Sequence, residues 1–299
     1  MTAGGADEED THGPQTSRPS LDCAPVSASP LRNRSRRATF FCYHSIADEG
    51  PRYLTVSPEL FERQLRELGR LGIATGGLCE LEDVAAGRGG PPTAFLTFDD
   101  GFLDNHTAAL PLLREQGGRA FVFVLPPLLD DGGAFAWPEV AADRERFPET
   151  MRSLTWEQLG EMAEAGFEVG SHTLTHPHLQ HLDPEPLRQE LADSRARIRE
   201  RLGRCDTLAY PFGEWSPVVA EAAAECGYGF AFTLPTAIGQ RHAEAHSIPR
   251  INVDYRDDEK RLRRKLSGPG KELFLSPRVA SARRLVRRLR GRPEPGTVQ

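Results

Sequence analysis

Two short stretches of this 299-residue chain concentrate groups able to do acid–base or metal chemistry. The first is Leu96-Thr97-Phe98-Asp99-Asp100-Gly101, in which an apolar run that reads as a strand ends in two carboxylates and a glycine. In parallel α/β architectures, sites are built at the carboxyl ends of strands. Consecutive residues leaving a strand point to opposite sides, so the two acids read as having different tasks. The plainer reading is a turn with a helix-capping aspartate. The second stretch, Gly170 to His178, again follows a strand pattern and carries His172, His176 and His178, with His181 close behind. Imidazoles at i and i+4 converge on one ion if the segment makes a helical turn; here the plainer reading is a solvated histidine-rich loop. The HExxH glutamate of a zinc-protease helix is absent. Two imidazoles and one carboxylate make an open metal site, with positions left for water and substrate. Zinc suits that donor set best, and Asp99 or Asp100 is the obvious carboxylate.

Joined by Tyr210-Pro211-Phe212-Gly213, the TFDDG and HTLTH segments resemble the polysaccharide deacetylases (NodB homology, carbohydrate esterase family 4) over roughly residues 38–255. The resemblance implies a distorted (β/α)7 barrel and a metal-dependent hydrolase that removes N-acetyl groups from an amino-sugar glycan or glycoside. It makes Asp99 the general base and Asp100, His172 and His176 the ligands of a divalent ion. It also makes the Phe212 backbone N–H a donor to the oxyanion.

The pattern departs from the family in two places. The family's third motif begins with an arginine where this chain has Ala209; Arg250, in Ile248-Pro249-Arg250-Ile251, is a candidate replacement, with an ordinary surface arginine as the alternative. The family's late Leu-x-x-His is missing, but Phe41-Cys42-Tyr43-His44 looks like that element moved to the front, as in the circularly permuted poly-N-acetylglucosamine deacetylase branch. That makes His44 the general acid, against the plainer reading of a strand-end histidine satisfied in the core. For the family's fourth motif, Asp130, Asp131 and Trp137 in the 126–150 insertion are the candidates. Two other functions fit the same residues: a non-catalytic carbohydrate-binding barrel, and a metal amidohydrolase acting on a non-sugar amide.

The elements that must position these groups alternate along the chain. ATFFCYHSI, TAFLTF, AFVFVL, FEVG, TLAY, FAFT and HSIPRI read as strands. Between them lie helices opened by Ser57-Pro58-Glu59, by the capping box Thr155-Trp156-Glu157-Gln158, by Asp183-Pro184-Glu185 and by Ser216-Pro217, with a further helix over 104–117. Strands separated by helices mean a parallel sheet, and about seven strands favour closure into a barrel over an open sheet.

Charge divides the chain into three parts. Residues 1–37 are net neutral, rich in Gly, Pro and Ser, and read as disordered. Residues 38–255, the proposed domain, carry −15 of the overall −6, and the basic, partly helical tail 256–299 carries +9. An acidic body repels phosphates, which argues against nucleic acid as a partner. The arginine-rich stretch 278–290 has a short apolar stripe compatible with peripheral contact to an anionic membrane, or equally with a solvated helix packing on the barrel. Five scattered cysteines with no CxxC pair argue against both a thiolate zinc site and a disulfide framework. With no secretory signal pattern at its start, the chain reads as cytoplasmic or peripheral at a membrane, although family members often act outside the cell.

Overall fold

The computed structural model describes residues 37–235 and 244–276, with 278, 279 and 282 beyond them. Both the segment expected to be disordered, up to residue 36, and most of the arginine-rich stretch 278–290 lie outside the described residues.

The framework is a parallel sheet that closes on itself. Strand β1 (Ala38–Tyr43) is followed by the two-residue pair β2 (Ser45–Ile46) and β3 (Thr55–Val56), which stand apart from the main sheet. The other staves are β5 (Thr93–Phe98), β6 (Ala120–Val124), β7 (Phe167–Ser171), β8 (Thr207–Ala209) and β9 (Phe230–Thr233). Closure comes from one segment with two faces. β10 (Ile248–Pro249) pairs with β9, and β11 (Ile251–Asn252) pairs with β1. Arg250, between them, donates its backbone N–H to Thr233 O at 2.9 Å. Seven staves result, with short β4 (Ala74–Thr75) wedged against the start of β5 as the main distortion. This is the barrel expected from the alternation of strands and helices.

Period-two patterning along the staves separates an inside from an outside. Inside, Phe40, Phe95, Phe121, Phe123 and Phe232 fill the lower barrel, with ring centroids 4.6 Å apart for Phe40–Phe95 and 5.4 Å for Phe123–Phe232. Gly170 faces this layer because a Cβ there would stand 2.5 Å from the Phe123 ring. Outside, Phe41, Tyr43, Leu96, Phe98, Val122 and Val124 pack under the helices. The first of these, α1 (Pro58–Arg70), starts where Ser57 Oγ accepts the Leu60 N–H at 3.2 Å, and it buries Phe61, Leu65 and Leu68. Truncating a buried aromatic such as Phe61 to alanine costs about 3–5 kcal/mol. The capping box at Thr155 opens α5 (Trp156–Glu164), and α6 (Pro184–Leu202) and α7 (Pro217–Glu225) follow their proline starts.

Three features differ from the sequence reading. Helix α2 (Leu78–Ala86) appears where none was expected, because its Gly77 start lacks a side-chain cap. The helix over 104–117 is instead a π turn, Asn105–Ala109, running into α3 (Leu110–Glu115). The expected boundary at residue 255 is also not an edge. α4 (Ala141–Arg146) lies in the insertion, and beyond residue 255 α8 (Glu259–Leu266) and α9 (Gly268–Leu275) pack onto the barrel through buried Leu262 and Phe274. Lys265, also buried, donates to Asn252 O at 2.7 Å and pairs with Asp257. The basic, partly helical tail thus begins as part of the body, through the apolar face of α8 and its buried ion pair. Among the described residues no helix is long and apolar enough to cross a membrane.

Candidate active site

Asp99, Asp100, His44, His172, His176, Phe212 and Arg250 gather at the carboxyl ends of the staves. Asp99 leaves β5 on the inner side, still bound in register through its N–H to Tyr43 O at 3.0 Å. Its carboxylate meets Arg250 in a two-pronged pair, Nη1 to Oδ1 at 2.5 Å and Nη2 to Oδ2 at 2.8 Å. Arg250 is fully buried (0 % exposed), so the alternative of an ordinary surface arginine is excluded. Its guanidinium stands over the Phe123 and Phe232 rings, at 5.6 and 5.9 Å, and also donates to Thr97 Oγ1 at 2.9 Å. The Cys42 thiol donates to Asp99 Oδ2 at 3.3 Å. Burial alone would raise the Asp99 pKa, yet the Arg250 charge, aided by His172, holds the carboxyl well below its usual range. Burial pushes the Cys42 thiol up, which keeps it a neutral donor.

Asp100 goes the other way. Its φ of 69° turns the chain out of the strand, and Gly101 continues the turn at the same φ. A Cβ at Gly101 would stand 2.9 Å from Val124, so both conformation and space require glycine there. The Asp100 Oδ1 atom then lies 3.3 Å from His172 Nε2 and 3.5 Å from His176 Nε2. All three residues are buried, and these ligand atoms sit within 4.8 Å of one another. The histidines do not converge through a helical turn. Thr173 (φ 70°) and His176 (φ 62°) are left-handed instead. Glu190 of α6 holds this loop by accepting from Leu174 N, Thr175 N and Thr175 Oγ1. His172 Nδ1 lies 2.8 Å from Ala209 O, so the residue that stands in the place of the motif arginine orients a histidine through its backbone. Burial lowers His176 to about 3. For His172, burial is outweighed by Asp100 and Asp99, and its pKa rises.

His44 follows β1 directly, two residues after Cys42. One of its ring nitrogens, the Cys42 sulfur and an Asp99 oxygen lie within 4.8 Å of one another. Its Nδ1 is buried with no hydrogen-bond partner, so it is not a histidine satisfied in the core. Burial lowers its pKa against the pull of Asp100 and Asp99.

Phe212 occupies a left-handed position (φ 58°) in the turn after β8. That turn is tied by Gly213 N–H to Tyr210 O and Glu214 N–H to Pro211 O, neither of which uses the Phe212 N–H. Its ring stacks on His178 at 4.0 Å and meets His176 edge-on at 4.6 Å. Of the three fourth-motif candidates, Trp137 reaches the site, stacking on His176 at 4.2 Å. Asp130 is exposed and accepts from Trp156 Nε1 instead, and Asp131 is exposed. Beside His176 a cavity of ≈ 450 Å³ opens between the insertion and the histidine loop, with Leu125, Leu128, Trp137, Glu139 and Leu174 in its walls.

Sequence reasoning missed Thr97, Cys42 and Glu190. A signal existed for the first two: each lies two residues before a candidate, Asp99 or His44, and therefore on the same face of the stave. Glu190 is surface-like in its helix pattern, and only the tertiary fold brings it under the loop.

Residues 86–231 match the family model for polysaccharide deacetylases. This span contains Asp99, Asp100, His172, His176 and Phe212 and leaves His44 and Arg250 outside it. The putative polysaccharide deacetylase YxkH of Bacillus subtilis is 28% identical over 53% of this chain and 50% of its own length. The poly-β-1,6-N-acetyl-D-glucosamine N-deacetylase of Escherichia coli K12 is 25% identical over 71% of this chain and 36% of its own. The chain thus spans half or less of the length of these relatives. Among solved structures, the Streptococcus pyogenes deacetylase PplD, in complex with acetate, superposes with a TM-score of 0.65 at 23% identity, covering 77% of this chain and 98% of that one. At that identity the likeness speaks for the fold. Residues 86–231, which hold both carboxylates and both histidines, thus match a polysaccharide deacetylase domain.

Proposed function

We propose that the chain hydrolyses N-acetyl groups on an amino-sugar glycan or glycoside, giving the free amine and acetate. The observation that carries this reading is the split between two adjacent carboxylates, one locked to Arg250 and one facing two imidazoles. The Escherichia coli relative is named for N-deacetylation of a poly-N-acetylglucosamine and the Bacillus subtilis one for deacetylation of polysaccharide, which supports this reading.

The Asp100, His172 and His176 set fits a divalent ion. Asp100 Oδ1 is a buried carboxylate oxygen with no hydrogen-bond partner, and it faces two imidazole nitrogens that have no other use. Buried polar atoms are rarely left unmatched, and a cation among O, N and N donors satisfies all three. When bound, such an ion lowers the pKa of water toward 7 and polarises a carbonyl oxygen, and zinc is the ion this donor set suits best.

The chain's own groups supply the rest. Asp99 takes the proton of the attacking water through a carboxylate oxygen, while Arg250 and Thr97 fix the direction of that carboxylate. The Phe212 N–H donates to the developing oxyanion, a contribution of about 3 kcal/mol for a typical donor of this kind. His44, within 4.8 Å of Asp99, delivers a proton to the nitrogen as the C–N bond breaks, because a sugar amine does not leave as an anion. Trp137 and Phe212 wall the histidines and limit water.

Acetate release from a panel of N-acetylated oligosaccharides, with cyclic and other non-sugar amides alongside, tests the reading. Zinc-loaded protein is expected to release acetate from the sugars, and Asp99→Asn to do so about 10²–10⁴-fold more slowly. Turnover restricted to non-sugar amides, or glycan binding without turnover, contradicts it, as does an Asp99→Asn protein of undiminished rate.

A further inference from the structure

Asp104 and Asn105 lie outside the reacting groups yet hold three bonds to the segment that carries His44. Asp104 Oδ2 accepts the Ser45 hydroxyl at 2.7 Å, and Oδ1 accepts the Ile46 N–H at 2.7 Å. Asn105 Nδ2 donates to His44 O at 2.7 Å and also contacts Asp104 Oδ1 at 3.2 Å. The two residues therefore hold the backbone of His44 and Ile46 and the hydroxyl of Ser45, from the segment that follows β5. Asn105 is fully buried.

Local structure explains how they come to stand there. Pro111 has no N–H to give to Thr107 O, and the turn before it is wound with a wider period, Leu110 N–H reaching Asn105 O. Single π turns of this kind concentrate at functional sites. Here the turn begins on Asn105 and follows Asp99 and Asp100 by a few residues, so one segment carries both the proposed base and the contacts to the proposed acid. His44 has no such support from its own ring, since its Nδ1 is unpartnered. Its position must then come from its backbone.

We infer that Asp104 and Asn105 are positioning residues for His44, clamping its backbone so that the imidazole stands where the leaving amine is protonated. This rests on His44 being the proton donor. A misplacement of about 1 Å in such a group costs on the order of 10²-fold in rate.

The test compares two leaving groups. An N-acetyl sugar needs a proton on its nitrogen, whereas an aryl acetate ester releases a phenolate without one. Asp104→Ala and Asn105→Leu are expected to lower kcat on the N-acetyl oligosaccharide by about 10²-fold, with little change in KM and less than threefold loss on the ester. His44→Ala should show the same amide-selective loss. Asp104→Asn, which keeps an acceptor for Ile46 and a partner for Ser45, should restore the amide rate. Ser45→Ala, removing one bond with little change in volume, should give a smaller loss of the same selectivity, and it stands in if the larger changes do not fold. Equal losses on amide and ester, or none in a folded Asp104→Ala or Ser45→Ala protein, would overturn the clamp while leaving His44 in its role. If His44→Ala itself leaves the amide-to-ester ratio unmoved, the proton-donor reading fails and the clamp with it.

Discussion

Asp99 and Asp100 are bonded neighbours in opposite surroundings. Asp99 is saturated: both oxygens take charged donors from Arg250, a thiol adds a third bond, and Thr97 ties the arginine to β5. Asp100 is incomplete, with a buried oxygen that faces two imidazoles and has no donor. The difference arises from one backbone angle. Asp99 keeps the extended direction of the strand and points into the barrel, while φ of 69° at Asp100 swings the next side chain toward the histidine loop. Pairing with Arg250 builds the Asp99 carboxylate into the fold as it aims it at the reaction, whereas the incomplete Asp100 is poised for an ion to be added. Stability should therefore depend on the first and ion binding on the second.

Arg250 offers the largest effect on stability. Arg250→Met leaves the Asp99 charge buried without its partner, which should cost about 3–5 kcal/mol in denaturant unfolding of metal-free protein. By contrast, Asp100→Asn in the same metal-free state should cost clearly less, since Asp100 has no guanidinium partner and faces only two imidazoles, 3.3 and 3.5 Å away. Equal destabilisation by both would erase the distinction between the two carboxylates.

A smaller effect sharpens the contrast from a third acid. Burial holds Asp104 up at about 6, although Ser45, Ile46 and Asn105 donate to it and pull it down. An acid with a folded pKa above its unfolded value of about 3.9 stabilises fully below that value, and the contribution is lost as pH rises through 6. Asp104→Asn should therefore melt a few degrees above the wild type at pH 7.5, each kcal/mol being worth about 2–4 °C. The gap should shrink toward pH 4. A gap that is constant with pH would mean that ionisation of Asp104 has no part in it.

Much of this arrangement is legible in the chain itself. TFDDG at the end of a strand announces two acids with different tasks, because period-two geometry forbids them a common direction. The staves follow from apolar runs bounded by capped helices, and seven of them close the ring. The sequence does not reveal how His172 and His176 converge. Spacing i, i+4 suggests a helical turn, but two left-handed residues and Glu190 do the work, and left-handed conformations at Thr and His have no local signature. The location of Arg250 is equally hidden. Placing an arginine above the phenylalanine floor of a barrel needs the ring to close first, with β10 and β11 joining opposite edges. The docking of α8 is likewise invisible because its charge density disguises Leu262 and the buried Lys265–Asp257 pair.

The most direct test is metal content per chain after loading with zinc and exhaustive dialysis, measured in parallel for Asp99→Asn and Asp100→Asn. Asp99→Asn should retain about one ion per chain, as the wild type does, with its turnover lost, whereas Asp100→Asn should retain none. An ion lost from Asp99→Asn and kept by Asp100→Asn would contradict the division of labour between the two carboxylates.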